Sequence, residues 1–406
     1  MTLPLSGYRV LDLGDDATVL AARLLADLGA DVIRIEAIDG DSVRGRLPFV
    51  GDVQGVERGL AHLLYNAGKR SLALALDRPA AWEVADLVLE SSDVVIAPLE
   101  KSALATAFFD DARMRATALR VGLVDTVFRR HAPEERATDL IGTAAGGLLY
   151  LNGFAGDPPN HATGQLAYKQ VSMAAALGAV SMILEQAISG VGGRITVSMQ
   201  EAVMWTTIQS ANENYWFWHE AVPVRRGLEN LGGQTIFEAC DGRWVSFYQH
   251  PPAWSAFVAW VAELLGDRRF EGGEWDDQLY RLEHHGEVTE ATVALCGLMD
   301  RDELISQGQR RAILVVPVQS VTDITHDPHL RQRGFFQEVW SEPLGMSIET
   351  YRAPFISSAY TARARPAPGL GQHSIEILRN ICGLGDTTIT GLISDGLVGI
   401  PKGAKA

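Results

Sequence analysis

The sequence predicts an α/β protein built on a parallel sheet, with a smaller α+β region set into it. Three observations carry this. Apolar runs of strand length alternate with stretches of helical period in the N-terminal part of the chain, which implies parallel strands joined by right-handed crossovers. An Asp-Gly pair, Asp241-Gly242, sits between two β-rich runs past residue 222, where the texture of the sequence changes. Strand and helix patterns then resume toward the C-terminus.

Taken in order, Tyr8–Leu13 (YRVLDL) reads as a buried strand and ATVLAARLLADLG as a helix stopped by Gly29. Ala30–Glu36 (ADVIRIE) reads as a second strand, completing a βαβ unit. Arg70–Leu76, a helix over AAWEVADLVLES and Asp93–Pro98 repeat the pattern, and RVGLVDTVF adds a further strand. Helices are expected over DLIGTAAGGLLYL and over YKQVSMAAALGAVSMILEQAIS, the latter ending at Gly190. After the strand RITVS comes a helix carrying NYWFWHE (Asn214–Glu220), whose aromatic rings suit a packed interface or an aromatic pocket. The hairpin QTIFEACDGRWVSFYQ opens the inserted region, and short helices follow. The strand ILVVPVQ, a helical TDITHDPHLRQRG, the strand FFQEVW and a C-terminal helical pair complete the chain.

Composition excludes several classes. The chain of 406 residues is 47% hydrophobic and carries a formal charge of -15, with no run of Lys or Arg, so a nucleic-acid backbone is not an expected partner. Three cysteines, far apart and without a CxxC pair, give neither a disulfide framework nor a zinc site. No basic leader and no uninterrupted apolar span is evident, so the expectation is a cytoplasmic protein with no membrane partner. The first βα turn, LGDDAT, lacks GxGxxG. Asp15 and Asp16 there are expected to cap the following helix and to repel a pyrophosphate, which leaves Glu36 without the glycines a dinucleotide fold pairs with it. No metal set and no GxSxG elbow appears; His284-His285 reads as a solvated loop pair and His329 as a capping or packing residue.

The stretches LSGYRVLDLG, LLADLGADVIRIE, NAGKRSLALAL, SSDVVIAPL, TDLIGTAAGGLLYLNG, RITVSMQEAV, DGRWV, VQSVTDITHDPHLRQRGFF, RAPF and LGQHS follow one another over nearly the whole chain. In that order they resemble the class III CoA-transferases of the CaiB–BaiF type, a family that also includes acyl-CoA racemases. The resemblance implies a Rossmann-like large domain formed by both chain ends (1–200 with 325–406), a linker helix (201–224) and a small α+β domain (225–324). It also implies an interlocked-ring dimer, in which a stable monomer is not expected.

In the transferases an aspartate at the start of a long helix attacks the acyl-CoA thioester and passes CoA to an acceptor acid. Counting back from SGVGGRITVS puts that position on Tyr168, a phenol that is neutral at pH 7 and cannot form the same intermediates. The racemase histidine would precede Asp139, where Thr138 stands. The small residues after the first strand are replaced by Thr18-Val19-Leu20, and the polar loop after DVVI becomes Ala97 to Ser102. Lys69 and Arg70 remain as candidate CoA contacts, and Gly232, Gly233 and Gln234 as a flexible glycine loop.

Losses gathered on one functional surface imply a non-catalytic subunit. Its partner would be a paralogous chain with an intact aspartate, as in heteromeric members that transfer CoA to benzylsuccinate from succinyl-CoA; Trp216 and its neighbours suit an aromatic acid. CoA or acyl-CoA is then the substrate of the complex, with no tightly bound cofactor. Two alternatives stay open: a homodimeric isomerase, lyase or transferase using Tyr168 or Asp139 with Lys169 beside it, and an acyl-CoA-binding pseudoenzyme. Tyr168 as a mere plug of an unused pocket is the bland reading.

Overall fold

The computed structural model describes residues 2–110, 114, 122–132, 134–207, 220, 225, 227, 229–230, 233–249 and 251–401. It divides into two compact units: Met1–Tyr150, His161–Pro223 and Arg333–Ala406 form the first, Leu151–Asn160 and Val224–Gln332 the second.

The first unit is organised by a seven-stranded sheet. Its strands β1 (Arg9–Asp12), β2 (Asp31–Ala37), β3 (Arg70–Leu74), β4 (Val94–Ile96), β5 (Gly122–Val127) and β6 (Gly193–Ser198) run parallel in the order β3-β2-β1-β4-β5-β6. A short strand, Val398–Gly399, adds antiparallel to β3 at the edge. Sequence periodicity did not disclose that strand, because two residues are too few to show alternation. From β1 the chain builds outward to β3, then returns past β1 and builds the other way. The reversal lies between β1 and β4, and a crevice at the carboxyl ends of these two strands is where ligands of such sheets sit.

Alternate residues of each strand enter opposite layers. Val10, Val32, Val94 and Val124 pack with the helices Val19–Asp27 and Leu166–Ser189, whereas Leu11, Ile33, Val95 and Leu123 pack with Pro79–Glu90 and Ser374–Asn380. All eight are buried, each side chain contributing about 1.5–3 kcal/mol of transfer free energy. The helix Leu166–Ser189 has the length and apolarity of a membrane span. Its Val171, Ala175, Ala179, Met182 and Ile183 nevertheless face the sheet layer as core residues, and Gly190 in the left-handed conformation ends it as the sequence predicts.

One helix expectation is corrected. DLIGTAAGGLLYL is not one helix: it breaks between Asp139–Ala145 and Leu148–Leu151. Gly147 takes a positive φ of 86°, and a Cβ at Gly146 would meet Val203 at 2.4 Å, so both glycines serve the break. FFQEVW is a strand as expected, Phe336–Ser341, and it pairs with Met346–Tyr351 across a Gly345 turn.

The second unit holds a three-stranded antiparallel sheet with Trp244–Tyr248 in the middle, between Ile236–Glu238 and Leu314–Pro317. The hairpin expected around Asp241-Gly242 is present, with Gly242 at φ 75°. Phe237 and Phe247 pack on Trp254, Phe257 and Trp260 of the helix Trp254–Leu265. His284 and His285 are not a loop pair: His285 begins the helix His285–Cys296, and His284, in the turn before it, stacks on Tyr280 at 3.9 Å.

Candidate active site

The floor of the β1/β4 crevice is an ion network. Asp12, the last residue of β1, faces Lys69 Nζ at 2.8 Å and Arg34 at 3.2 Å, and all three side chains are buried. Burial alone would push the Asp12 carboxyl up, but the two cations outweigh it and hold it below the usual carboxylate range. Lys69 donates its remaining protons to the Val19 carbonyl (2.9 Å) and Asn66 Oδ1 (3.0 Å), and burial draws its ammonium down to about 8. Arg34 also reaches the Gly14 carbonyl and Asp41. At Gly14 a Cβ would lie 2.5 Å from Thr18 Oγ1, so the turn after β1 admits only glycine.

The expected CoA-binding role for Lys69 and Arg70 therefore finds no opening here. Lys69 has every donor occupied inside the sheet floor. Arg70 begins β3, where Asp31 (2.6 Å) and Glu376 (3.1 Å) take its guanidinium.

Above the floor, Asp15 does not cap the helix as the sequence suggested. Its carboxylate accepts the backbone N–H groups of Ala17 (3.1 Å) and Glu100 (2.9 Å), lashing the loop after β1 to the loop after β4. With no cation beside it, burial raises its pKa in spite of these donors. Asp16 pairs with Arg46 at 3.0 Å, and Arg46 in turn bonds Gln165, the residue before the long helix. Gln165 is left-handed at φ 54°, an unusual conformation for a side-chain-bearing residue and one found at functional sites. Ser172 Oγ donates to the Ala17 carbonyl at 2.7 Å, fastening the first turns of the helix to the same loop.

Tyr168 stands in that first turn. It lines a cleft with Asp16, Val19, Leu20, Tyr65, Gln165, Lys169 and Ser172, in which a water-sized sphere has about 10 Å³ of room, roughly enough for a single water. Burial, with the nearby Asp15, Asp16 and Asp139 carboxylates, pushes the phenol up to about 12. It is uncharged at neutral pH, and the cleft admits no thioester as it stands.

Asp139 is equally committed. One oxygen accepts the Tyr168 N–H at 3.0 Å, capping the long helix from outside, and the other faces His161 Nε2 at 3.1 Å. Its weak candidacy as an acid–base group meets the difficulty that the carboxyl is 6% exposed and engaged at both oxygens. Thr138, where a racemase histidine would be sought, caps the helix Asp139–Ala145 through the Ile141 N–H. The histidine that does meet Asp139 comes from the loop before the long helix. Sequence reasoning missed His161, because a lone histidine 22 positions from its partner carries no local signal.

Of the glycine loop, Gly233 and Gln234 pair antiparallel with Asn230 and Glu229, and Gln234 Nε2 donates to the Ile236 carbonyl at 2.7 Å. Gly232 lies outside the described residues, as do Asn214 to His219 with Trp216. Cys240 is exposed, Cys296 buried and Cys382 half-buried, all free thiols. Among the described residues no group of three or more His, Cys, Asp or Glu is placed to hold a metal ion.

The profile of CoA-transferase family III matches residues 5–374. The chain belongs to this family. It is 29% identical over 413 residues to subunit BbsE of the succinyl-CoA:(R)-benzylsuccinate CoA-transferase of Thauera aromatica, covering 97% of this chain and 98% of that one. It is 28% identical over 421 residues to the beta subunit of the succinyl-CoA–L-malate CoA-transferase of Chloroflexus aurantiacus, again covering 97% and 98%. A CAIB/BAIF family protein from Brucella suis shares the fold with a TM-score of 0.80 at 21% identity, over 94% of this chain and all of that one. Family membership supports transferase chemistry on CoA thioesters.

Proposed function

We propose that this chain is a non-catalytic subunit of a heteromeric class III CoA-transferase, completing a complex that moves CoA from an acyl-CoA thioester to a carboxylic acid. The observation that carries the reading is Tyr168: the helix start where the family's nucleophilic aspartate is expected holds a neutral phenol in a cleft with room for one water. A phenol at about 12 cannot supply the carboxylate that forms a mixed anhydride and then, as the released CoA thiolate attacks it and the donor acid leaves, an aspartyl-CoA thioester. The reactive aspartate then belongs to a paralogous sister chain, in keeping with two relatives that are themselves named as subunits. Succinyl-CoA as donor and benzylsuccinate as acceptor are the pair to test first. In this reading both chain ends build a Rossmann-like large domain, the two subunits thread as interlocked rings, CoA is a substrate and not a resident cofactor, and the complex works in the cytoplasm. Purifying the tagged chain from its native host and identifying its companions by mass spectrometry tests this. A co-purifying paralogue with the helix-start aspartate is the expected result, and robust CoA transfer by the purified single chain contradicts it.

One observation favours a second reading. The His161–Asp139 contact is an acid–base pair beside Tyr168, which suits a chain that moves a proton itself as an isomerase or lyase. Under that reading the isolated chain exchanges the α-proton of an acyl-CoA with solvent deuterium, and His161→Ala abolishes the exchange. Under the first reading no exchange occurs.

A further inference from the structure

Late in the chain, residues 366–374 return to the sheet of the first unit, and two histidines help to fasten them there. The Gly68 N–H donates to the Pro366 carbonyl (2.9 Å), the Leu370 N–H to Glu57 Oε1 (2.9 Å) and the Gly371 N–H to Ser71 Oγ (2.8 Å). Among these ties stands His62, a buried residue of the helix Leu60–Tyr65. Its Nε2 lies 3.1 Å from the Pro368 carbonyl, and its Nδ1 lies 3.1 Å from Asn66 Nδ2. The second histidine belongs to the returning segment itself. His373 Nδ1 accepts the Ser71 N–H at 3.2 Å, while the His373 N–H donates to the Ser71 carbonyl at 3.0 Å, a reciprocal bridge to β3.

The neighbours decide where each ring carries its hydrogen. An ammonium only donates, so the Asn66 atom 3.0 Å from Lys69 Nζ is the amide oxygen and the amide N–H group faces His62. Nδ1 of His62 therefore accepts, and Nε2 holds the hydrogen that it donates to Pro368. Arg44 Nη1 also comes within 3.1 Å of Nε2, but the guanidinium spends its five N–H groups elsewhere. Nε and Nη2 donate to Glu36 (2.6 and 2.9 Å), Nη2 also to the Pro368 carbonyl (3.2 Å), and Nη1 to Glu57 (2.8 Å) and the Val56 carbonyl (3.2 Å). A second proton on His62 would set one N–H against another at Asn66 and a positive charge against Arg44. Burial and Arg44 hold this ring well below the usual histidine range; Lys69 acts in the same sense and Asp41 against it. A proton on His373 Nδ1 would likewise face the Ser71 N–H. Burial outweighs the neighbouring Glu376 carboxylate there and, with Arg70, lowers the pKa, against the further pull of Glu342 and Asp31.

We propose that His62 and His373 form an acid-opened latch: as neutral rings they fasten residues 366–374 to the sheet, and protonation releases the segment. Each ring, once open, takes a proton below about 6.5 that the closed ring refuses. The latch is therefore complete above that value and weakens as pH falls through it, about tenfold per pH unit for each ring until the closed ring itself titrates. Lys69 joins the latch to the sheet floor, since the ammonium that pairs with Asp12 also orients Asn66. The latch is independent of which chain holds the reactive aspartate.

The test is amide hydrogen exchange of the full chain, in the assembly in which it purifies, between pH 7.5 and 5.5, a range above ordinary carboxylate titration. Exchange is read by peptide mass spectrometry and corrected for its intrinsic rate. Opening of residues 366–374 should rise at least about tenfold across this range, while peptides from β4 and β5 change less than about twofold. His62→Gln with His373→Asn keeps hydrogen-bonding groups at both positions but cannot titrate, and it should flatten the pH dependence to within about twofold. Exchange of each ring's C2 hydrogen in the unaltered chain reads the two titrations without any variant, and both midpoints should lie below those of the same rings in urea. Flat exchange over 366–374 in the unaltered chain overturns the proposal. So does a double variant that keeps the original pH dependence, or either ring titrating at or above its unfolded midpoint.

Discussion

Asp12 and Asp15 are the same residue type three positions apart, the first buried and the second half-buried, and they meet opposite fates. Asp12 sits on the sheet floor between Lys69 and Arg34, and its pKa falls. Asp15 sits in the loop above with only N–H and hydroxyl donors around it, and its pKa rises. The floor has its charges matched; the crevice above it gathers Asp15, Asp16 and Asp139 around a ring that bears no charge. The difference separates scaffold from site. A layer built for stability neutralises what it buries, whereas the layer above leaves Asp15 to backbone and hydroxyl donors with no cation among them, beside the Tyr168 ring.

The sharpest way to break this comparison is at Lys69. Replacing it with Met leaves Asp12 short of a partner in the interior, and a loss of about 3–5 kcal/mol is expected in urea unfolding. A loss below about 1 kcal/mol would mean that the floor is not held by its ions. Next in size, the Arg34 guanidinium draws Asp41 down to about 2 against its burial. A carboxyl depressed in the folded state adds stability that is complete above the unfolded value near 3.9 and disappears as pH falls toward 2. Asp41→Asn should therefore cost about 2 kcal/mol at neutral pH, with most of that cost gone by pH 2 and the remainder lost below it. Asp15 should show the opposite slope. With its folded pKa raised, its contribution shrinks as pH climbs through the unfolded value, so the cost of Asp15→Asn should be greatest in acid and smallest at pH 7. Parallel pH profiles for these two variants would remove the distinction between floor and crevice. The smallest effect is expected at the ring: Tyr168→Phe keeps the plug, and transfer by the co-expressed complex should stay within about twofold, which steady-state assay resolves.

Much of this was legible in the residues. The parallel sheet could be read from apolar runs such as VLDL and VIRIE, whose period survives folding because both faces of the sheet are buried. The hairpin at Asp241-Gly242 announced itself through its turn. Less visible were features that depend on the third dimension. Lys69 and Arg70 looked like ligand contacts from their place in GKRS, but Lys69 turns into the sheet floor against Asp12 and Arg70 is taken by Asp31 and Glu376. Asp15 looked like a cap until Glu100 arrived from a loop 85 positions away. Arg46 and His161 hold the entrance of the long helix through contacts spanning 119 and 22 positions, and no local pattern predicts either. What the residues do offer is the expectation at Tyr168, since the absence of a carboxylate at one position can be read without the third dimension.

The central claim is that reactivity has left this chain. Incubating the co-expressed complex with succinyl-CoA, trapping acyl intermediates with hydroxylamine and mapping both chains by peptide mass spectrometry tests it directly. The account predicts the adduct on the helix-start aspartate of the sister chain and none on this one. An adduct on any carboxyl of this chain, Asp15 or Asp139 included, would contradict it.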